Sequence, residues 1–493
     1  MQKFVCIHGH FYQPPREDPW TGKPAEDKSA SPFHDWNERI TSECYAPNTS
    51  SPLMDGEGRI RERVNNYAWI SYDFGPTLLR WLESSRPEVH DAIVAADRAS
   101  AVRFGGHGSA MAQVYNHMIM PLANPSDRRT QTKWGVEDFV RRFGRYPEGM
   151  WLPETAVDLD SLEALAESRI KFTVLSPLQA LAVRKAAEQG WTDVSGGRID
   201  PGRAYYCSLP SGKRINLFFY DRELSTAVAF GNLLDSGEAF ANALLGAFAS
   251  RGSPLVSVAS DGETYGHHHG KGHVALTECV SRIRDGGDAS VVNYGYYLSL
   301  VPPSHEVRIA ERTSWSCPHG VERWRSNCGC GSEIHPGYNQ EWRAPLRLSF
   351  DWLRDQLSQI YAKEGPGILN DPISVRDHLP STKIDGKEDV KRYLLGKVRP
   401  GQSAQRGAEL VEMMGCSSLM YASCAWFWED MSRTETVQML KFARRAVELA
   451  ADPASGILQA EFRGLLAKAR PNDPRFKDGA ELYDRLAVAA RSN

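Results

Sequence analysis

The feature that most constrains the fold of this chain is a repeated alternation, over its first three hundred residues, of short apolar runs with amphipathic helical segments. Strand-like runs are read at Phe4–His8, Ala101–Phe104, Gly149–Leu152, Phe172–Leu175, Ile215–Tyr220 and Leu255–Ala259. Helical periodicity falls between them, as at Val136–Phe143 and Leu159–Glu167. Strand, helix, strand repeated this often calls for a parallel sheet, either open or closed into a barrel, and periodicity does not separate the two. From about residue 340 the pattern changes. Trp342–Tyr361, Ala408–Phe427, Thr436–Ala450 and Leu458–Ala469 carry apolar residues at three- and four-residue spacing, which predicts a helical region. Residues 363–405, richer in Gly, Pro and charge, read as a surface connection, and residues 17–60, with Trp20 and Trp36, as a long functional loop. The expected division is a barrel over 1–310, a loop or linker over 311–340 and a helical domain over 341–493.

Composition excludes several function classes. Lys and Arg number 58 against 61 Asp and Glu, so no basic footprint for nucleic acid exists at whole-chain level. No apolar run of about 18 residues is present, so no membrane partner is expected. The N-terminus enters a strand-like stretch at once, without the plan of a signal peptide. Nine mostly scattered cysteines suit buried thiols in a reducing compartment, and the expected location is cytoplasmic.

Chemistry gathers where the strand candidates end. The first runs into His8-Gly9-His10-Phe11-Tyr12-Gln13-Pro14. Two histidines one residue apart on a strand point the same way, where they could bind a metal, hydrogen-bond sugar hydroxyls or serve structure alone. The strand at Gly149 ends in Trp151-Leu152-Pro153-Glu154, with a carboxylate on a backbone restrained by proline. The strand at Leu255 ends in Ser260-Asp261-Gly262-Glu263-Thr264-Tyr265-Gly266-His267. Two acids at separate strand ends are what glycosyl transfer requires, one to attack the anomeric carbon and one to protonate the leaving oxygen.

These motifs resemble those of glycoside hydrolase family 57, in a divergent branch with an uncharacterised C-terminal domain. His8, His10, Gln13 and Pro14 match a first motif, with Phe11 and Tyr12 intervening; Trp151 and Glu154 match the nucleophile motif. Asp261, Glu263, Tyr265, Gly266 and His267 match the acid/base motif, and Gly105–Gly108, with His107, stands at a looser second one. The resemblance implies a seven-fold β/α barrel followed by a helical region. It also implies a retaining hydrolase or transglycosylase on α-linked glucans or related α-glycosides, with no required cofactor. Glu154 would be the nucleophile and Asp261 the general acid/base, their carboxyls about 5–7 Å apart. His8, His10 and His107 would bind the sugar, with Gln13, Trp151, Glu263, Tyr265 and His267 around them. Two other readings stand beside it: a metal-dependent carbohydrate deacetylase or α-mannosidase-like enzyme using His8, His10 and Asp261 as ligands, and a non-catalytic glucan-binding protein.

Aromatic residues supply further sugar-platform candidates: Trp20, Trp315, Trp324, and Trp426 or Trp428, the last two equally readable as core packing. Cys317, His319, Cys328 and Cys330 offer four soft ligands within fourteen residues. They read as a structural zinc site, as a glycine-rich loop with reactive thiols, or as a flap over the cleft.

Overall fold

A computed structural model describes residues 2–249, 252–331, 335–382, 387–451 and 454–489. It divides into two compact units. The first comprises residues 1–13, 26–114 and 139–315; the second comprises 14–25, 115–138 and 316–493. The second unit thus draws two segments, 14–25 and 115–138, from within the span 1–310 that the sequence assigns to the barrel.

The first unit is built on seven strands: β1 (Phe4–Phe11), β2 (Ser71–Phe74), β3 (Ala110–Gln113), β4 (Met150–Trp151), β5 (Phe172–Leu175), β6 (Arg214–Phe219) and β7 (Leu255–Asp261). Parallel pairing runs β7-β1-β2-β3-β4. Gly149, heading β4, bridges Phe172 of β5 in parallel, and β5 pairs with β6. Asp221, just past β6, donates its N–H to the Ser257 carbonyl of β7 at 2.6 Å. The result is a parallel barrel of the (β/α)7 type, as expected. The helices Pro76–Ser85, Pro87–Arg103, Leu159–Glu167, Arg222–Phe230, Gly237–Gly246 and Gly272–Gly286 lie in the connections.

Alternation along β1 sorts its side chains into two layers. Val5 and Ile7 join a core with Val256, Val258, Phe240, Leu244, Leu276 and Val280 between strands and helices. Phe4 and Cys6 join the other core, with Met111, Trp151, Phe172, Phe218 and Tyr294. His8 and His10 share the parity of Phe4 and Cys6. The same alternation that fills the lower barrel with apolar groups therefore delivers two imidazoles to its upper layer.

Three sequence readings change here. Ala101–Phe104 is not a strand, because residues up to Arg103 complete the helix Pro87–Arg103; Val102 is an exposed residue of that helix, 89% accessible. Residues 17–60 are not one long loop. They hold helical turns over Trp36–Ile40, Thr41–Tyr45 and Ala46–Thr49, and the antiparallel pair Ser51–Met54 and Ile60–Val64. Residues 363–405 are not a plain surface connection. The helix begun at Arg343 runs through Pro366 to Ile368, and shorter helices follow at Pro372–Asp377 and Lys387–Tyr393.

The second unit is mainly helical. The helix Arg343–Ile368 packs on Ala404–Leu419, Thr434–Leu449 and Ala454–Leu466, burying Leu346, Phe350, Leu353, Leu357, Leu410, Met439 and Phe462. The helix expected over 408–427 breaks after Leu419, because Ala422 pairs with Met118 and Ser423 donates to the His117 carbonyl.

Candidate active site

The C-terminal ends of the parallel strands assemble the site within the first unit, at the end of a β/α barrel where catalytic groups collect. Register does most of the placing. His10 on β1 is opposite Asp261 on β7 and opposite Asp73 on β2, so three charged groups form one row across three neighbouring strands.

Asp73 is fully buried and grips both histidines: Oδ1 lies 3.0 Å from His8 Nε2 and Oδ2 lies 2.9 Å from His10 Nδ1. Ser71 Oγ holds the other His8 nitrogen at 3.1 Å. Burial keeps His8 below the ordinary histidine range, against the pull of Asp73 and aided by the nearby His10. For His10 burial also disfavours the cation, but Asp73, with Asp261 and Glu263, prevails and pushes its pKa up to about 9. The pair is one neutral and one protonated imidazole on a shared carboxylate. Both rings stack on Trp151, each at 4.9 Å between centroids.

Glu154 leaves the barrel on a tight turn after β4. Its backbone is left-handed, with φ 58° and ψ 20°, and the β-branched Thr155 follows at φ 50°. Such a conformation costs on the order of 1–3 kcal/mol per residue and persists only where the surroundings impose it. Here Thr155 N–H donates to Leu152 O at 2.8 Å, Gln179 Nε2 donates to Thr155 O at 2.7 Å, and Trp315 N–H donates to Glu154 O at 3.0 Å. Trp315 Nε1 then donates to the carboxylate, 3.1 Å from Oε2. Trp315 fixes Glu154 through main chain and side chain together.

Asp261 closes β7. Asp261 is solvent-accessible, yet the protein packed around its carboxyl disfavours the charged form. That desolvation, with repulsion from Glu154 and Asp73 and partial relief from His10, raises its pKa to about 6. The interaction with Glu154 puts the two carboxylates in one electrostatic neighbourhood. Glu263, two residues on, is buried, accepting from Tyr12 N–H at 3.1 Å and from the Tyr45 hydroxyl. Burial and Asp261 push it up to about 7. Gln13 reaches the same Tyr45 hydroxyl. The 262–266 turn sits tightly against its neighbours: a Cβ on Gly266 would lie 2.6 Å from Cys44 Cα and one on Gly262 2.2 Å from the Phe11 ring.

Several sequence candidates lie elsewhere. His107 precedes β3 rather than following it, so it sits at the opposite end of the barrel, 2.8 Å from Glu148. Tyr265 is fully buried in the strand–helix core and cannot wall a sugar site. Trp151 is likewise fully buried, supporting the histidines rather than facing a ligand. His267 Nδ1 is taken by the Glu43 carboxylate. In the second unit, Trp324 and Trp426 are fully buried, their indole N–H groups donating to the Ser423 and Arg343 carbonyls. They are core residues, not platforms. Trp20 is half-buried and donates to Glu448 at 2.8 Å, and the half-buried Trp428 lies under the Arg433 guanidinium. The reading of His8, His10 and Asp261 as metal ligands loses its first member, since both His8 nitrogens are committed to Ser71 and Asp73.

Sequence reasoning missed Asp73, Ser71, Tyr12 and Tyr45. Asp73 had a usable signal, because an acid inside an otherwise aromatic Tyr72-Asp73-Phe74 run marks a strand whose inner face is polar.

A family model described as glycosyl hydrolase family 57 matches residues 5–309, and one described as a domain of unknown function (DUF3536) matches 338–493. Alpha-amylase 1 of Dictyoglomus thermophilum is 25% identical over 198 residues, which are 40% of this chain; the chain spans only about a quarter (26%) of that relative's length. The solved exo-type maltose-forming amylase of Pyrococcus sp. ST04 superposes with a TM-score of 0.68 at 15% identity, covering 99% of this chain and 92% of its own. A GH57-type branching enzyme of Pyrococcus horikoshii gives 0.55 at 14%, covering 100% and 95%. The two structural likenesses are of fold.

Proposed function

Because the chain belongs to glycosyl hydrolase family 57, we propose that it is a retaining glycoside hydrolase or transglycosylase acting on α-linked glucans or related α-glycosides. The observation that carries this is the carboxylate pair. Glu154 and Asp261 stand at the ends of two strands of one barrel, and Asp261 feels the charge of Glu154. The amylases and the branching enzyme that the chain is similar to point to the same substrate class.

In this reading Glu154 attacks the anomeric carbon while Asp261 protonates the departing glycosidic oxygen. Asp261, now a carboxylate, then takes a proton from water or from a sugar hydroxyl, and that oxygen displaces Glu154. The environments suit the division of labour. Asp261 is partly protonated near pH 6, and Trp315 aims one oxygen of Glu154 by hydrogen bond. His10, a cation beside Asp261, stabilises that group once it has given up its proton. Glu263 anchors Tyr12 and Tyr45. Trp315, half-buried beside Glu154, is the aromatic wall of the sugar subsite.

No helix of the described residues is long and apolar enough to cross a membrane. Among the described residues no cysteine forms a disulfide, which supports a reducing, cytoplasmic setting.

The deciding experiment is incubation with maltooligosaccharides and amylose, with products sized by chromatography and assayed for new branch points. Shorter products mean hydrolysis, longer ones transfer, and new branches branching. Unchanged glucans across all three readouts, with glucan still bound, would instead establish the non-catalytic reading.

A further inference from the structure

Cys317, His319, Cys328 and Cys330 take no part in the chemistry above, yet in the second unit they converge. One ligand atom from each lies within 4.8 Å of the other three. Cys317 Sγ is 3.8 Å from Cys330 Sγ, and Cys330 Sγ is 3.4 Å from His319 Nδ1. Those lengths have a simple source. Tetrahedral bonds of about 2.3 Å to sulfur put neighbouring sulfurs about 3.8 Å apart, and a bond of about 2.0 Å to nitrogen brings the sulfur–nitrogen edge to about 3.5 Å. A disulfide would need about 2.05 Å.

The backbone is shaped for this convergence. Gly320 N–H returns to the Cys317 carbonyl at 3.0 Å, closing a turn that brings His319 back beside Cys317. Gly329, at φ 79°, takes a left-handed conformation that lets Cys328 and Cys330 bend to one centre. Between the two ligand pairs, Arg323 and Trp324 are buried, donating to the Phe427 and Ser423 carbonyls.

Arg343 supplies an independent argument. Its side chain is fully buried, and its hydrogen-bond partners among the described residues are Cys328 Sγ at 3.6 Å and the carbonyls of Cys330 and Trp428. None of these is a carboxylate. Beside three neutral thiols, Arg343 would be a buried cation whose hydrogen-bond partners among the described residues are all uncharged, an expensive arrangement. A divalent ion bound by three thiolates and a neutral imidazole carries a net charge of −1, which Arg343 balances.

We propose that Cys317, His319, Cys328 and Cys330 bind one zinc ion as a structural site whose charge is neutralised by Arg343. Binding converts three thiols to thiolates and releases three protons to solvent, while His319 binds as the neutral ring. The ion fastens the 317–330 segment within its unit. His319 is exposed and Cys328 and Cys330 are half-buried, so the metal has a route in.

The test uses the full-length protein, purified without chelator from cells supplied with zinc. Elemental analysis is expected to give one zinc per chain, falling at least tenfold in Cys330→Ser and remaining near one in His319→Cys. Should Cys330→Ser not fold, the wild-type protein still decides the matter. Cobalt added to demetallated wild type should produce thiolate charge-transfer absorption with tetrahedral d–d bands. Zinc added to it at neutral pH should release about three protons. Two outcomes overturn the proposal: no bound zinc or cobalt after reconstitution under reducing conditions, with the three thiols still reactive in the native protein, or a Cys317–Cys330 disulfide found by mass spectrometry in protein kept under reductant.

Discussion

His10 and Asp261 are register partners on adjacent parallel strands, and Asp73 takes the matching place on the other side of His10. A buried cation therefore stands between two carboxylates whose tasks differ. Asp73, which holds the imidazole, is wholly enclosed, whereas Asp261, which the imidazole stabilises from the side, is open to solvent. The strand pairing that builds the barrel thus also sets the proton affinity of the proposed acid.

Glu154→Gln keeps the shape of the nucleophile and removes its charge. Turnover on amylose or maltooligosaccharides is expected to fall by several orders of magnitude while glucan affinity changes little. Steady-state kinetics with binding calorimetry on the variant check both halves. A variant that retains most of its activity would remove Glu154 from the nucleophile's place.

How much of this could be read in the sequence depends on how each residue is delivered. His8 and His10 follow an apolar run, and their spacing on a strand forces them to one side, so the pair was legible. Glu154 and Asp261 were legible because each follows an apolar strand directly. Asp73 was not. Its strand, Ser71–Phe74, is four residues long and turns Ser71 and Asp73 inward, so it lacks the apolar run used to recognise the others. Ala110–Gln113 is short for the same purpose, and the exposed Val102 mimicked a strand at the end of a helix. Tyr45 lay in a stretch whose Pro, Asn and Ser content suggested loop, although local helical turns place its hydroxyl on Glu263. His107 misled because a glycine-rich motif says nothing about which end of a strand it borders.

Asp261→Asn removes the proton donor but leaves Glu154 to attack. Natural glucans, whose leaving oxygen needs protonation, should be turned over at least a hundredfold more slowly. Aryl α-glycosides with acidic phenol leaving groups should lose far less in the glycosylation step. Pre-steady-state release of the phenol measures that step by itself. Equal losses on both substrate types would show that Asp261 is not the acid.

The pH profile of kcat/KM should be bell-shaped, with its alkaline limb near about 6, where free Asp261 loses its proton. His10 lowers that value, so His10→Gln is expected to raise it and move the alkaline limb to higher pH, whatever its effect on the maximum rate. A purely structural loss would scale the whole profile without displacing it. A limb unmoved, or moved to lower pH, would contradict the assigned coupling.

Asp73→Asn tests the shared carboxylate through stability. His10 has a folded pKa of about 9 against about 6.5 unfolded, so its protonation favours the folded state. That contribution is complete below about pH 6.5 and is lost as pH rises toward 9. His8 shifts the other way: its folded pKa is lowered, so its contribution is present above about 6.5 and lost as pH falls through the folded value. Between pH 6.5 and 9 the His10 effect stands alone within the pair, and it should lower the wild-type melting temperature as pH rises through that interval. With Asn at position 73 the cation loses its main support, and this component of the slope should largely disappear. The variant should also be destabilised by about 3–5 kcal/mol near neutral pH, the range for breaking a buried ion pair from one side. Thermal unfolding of wild type and variant across pH 6–9.5 supplies both measurements. Parallel curves for the two proteins would mean that Asp73 does not hold His10 as a cation.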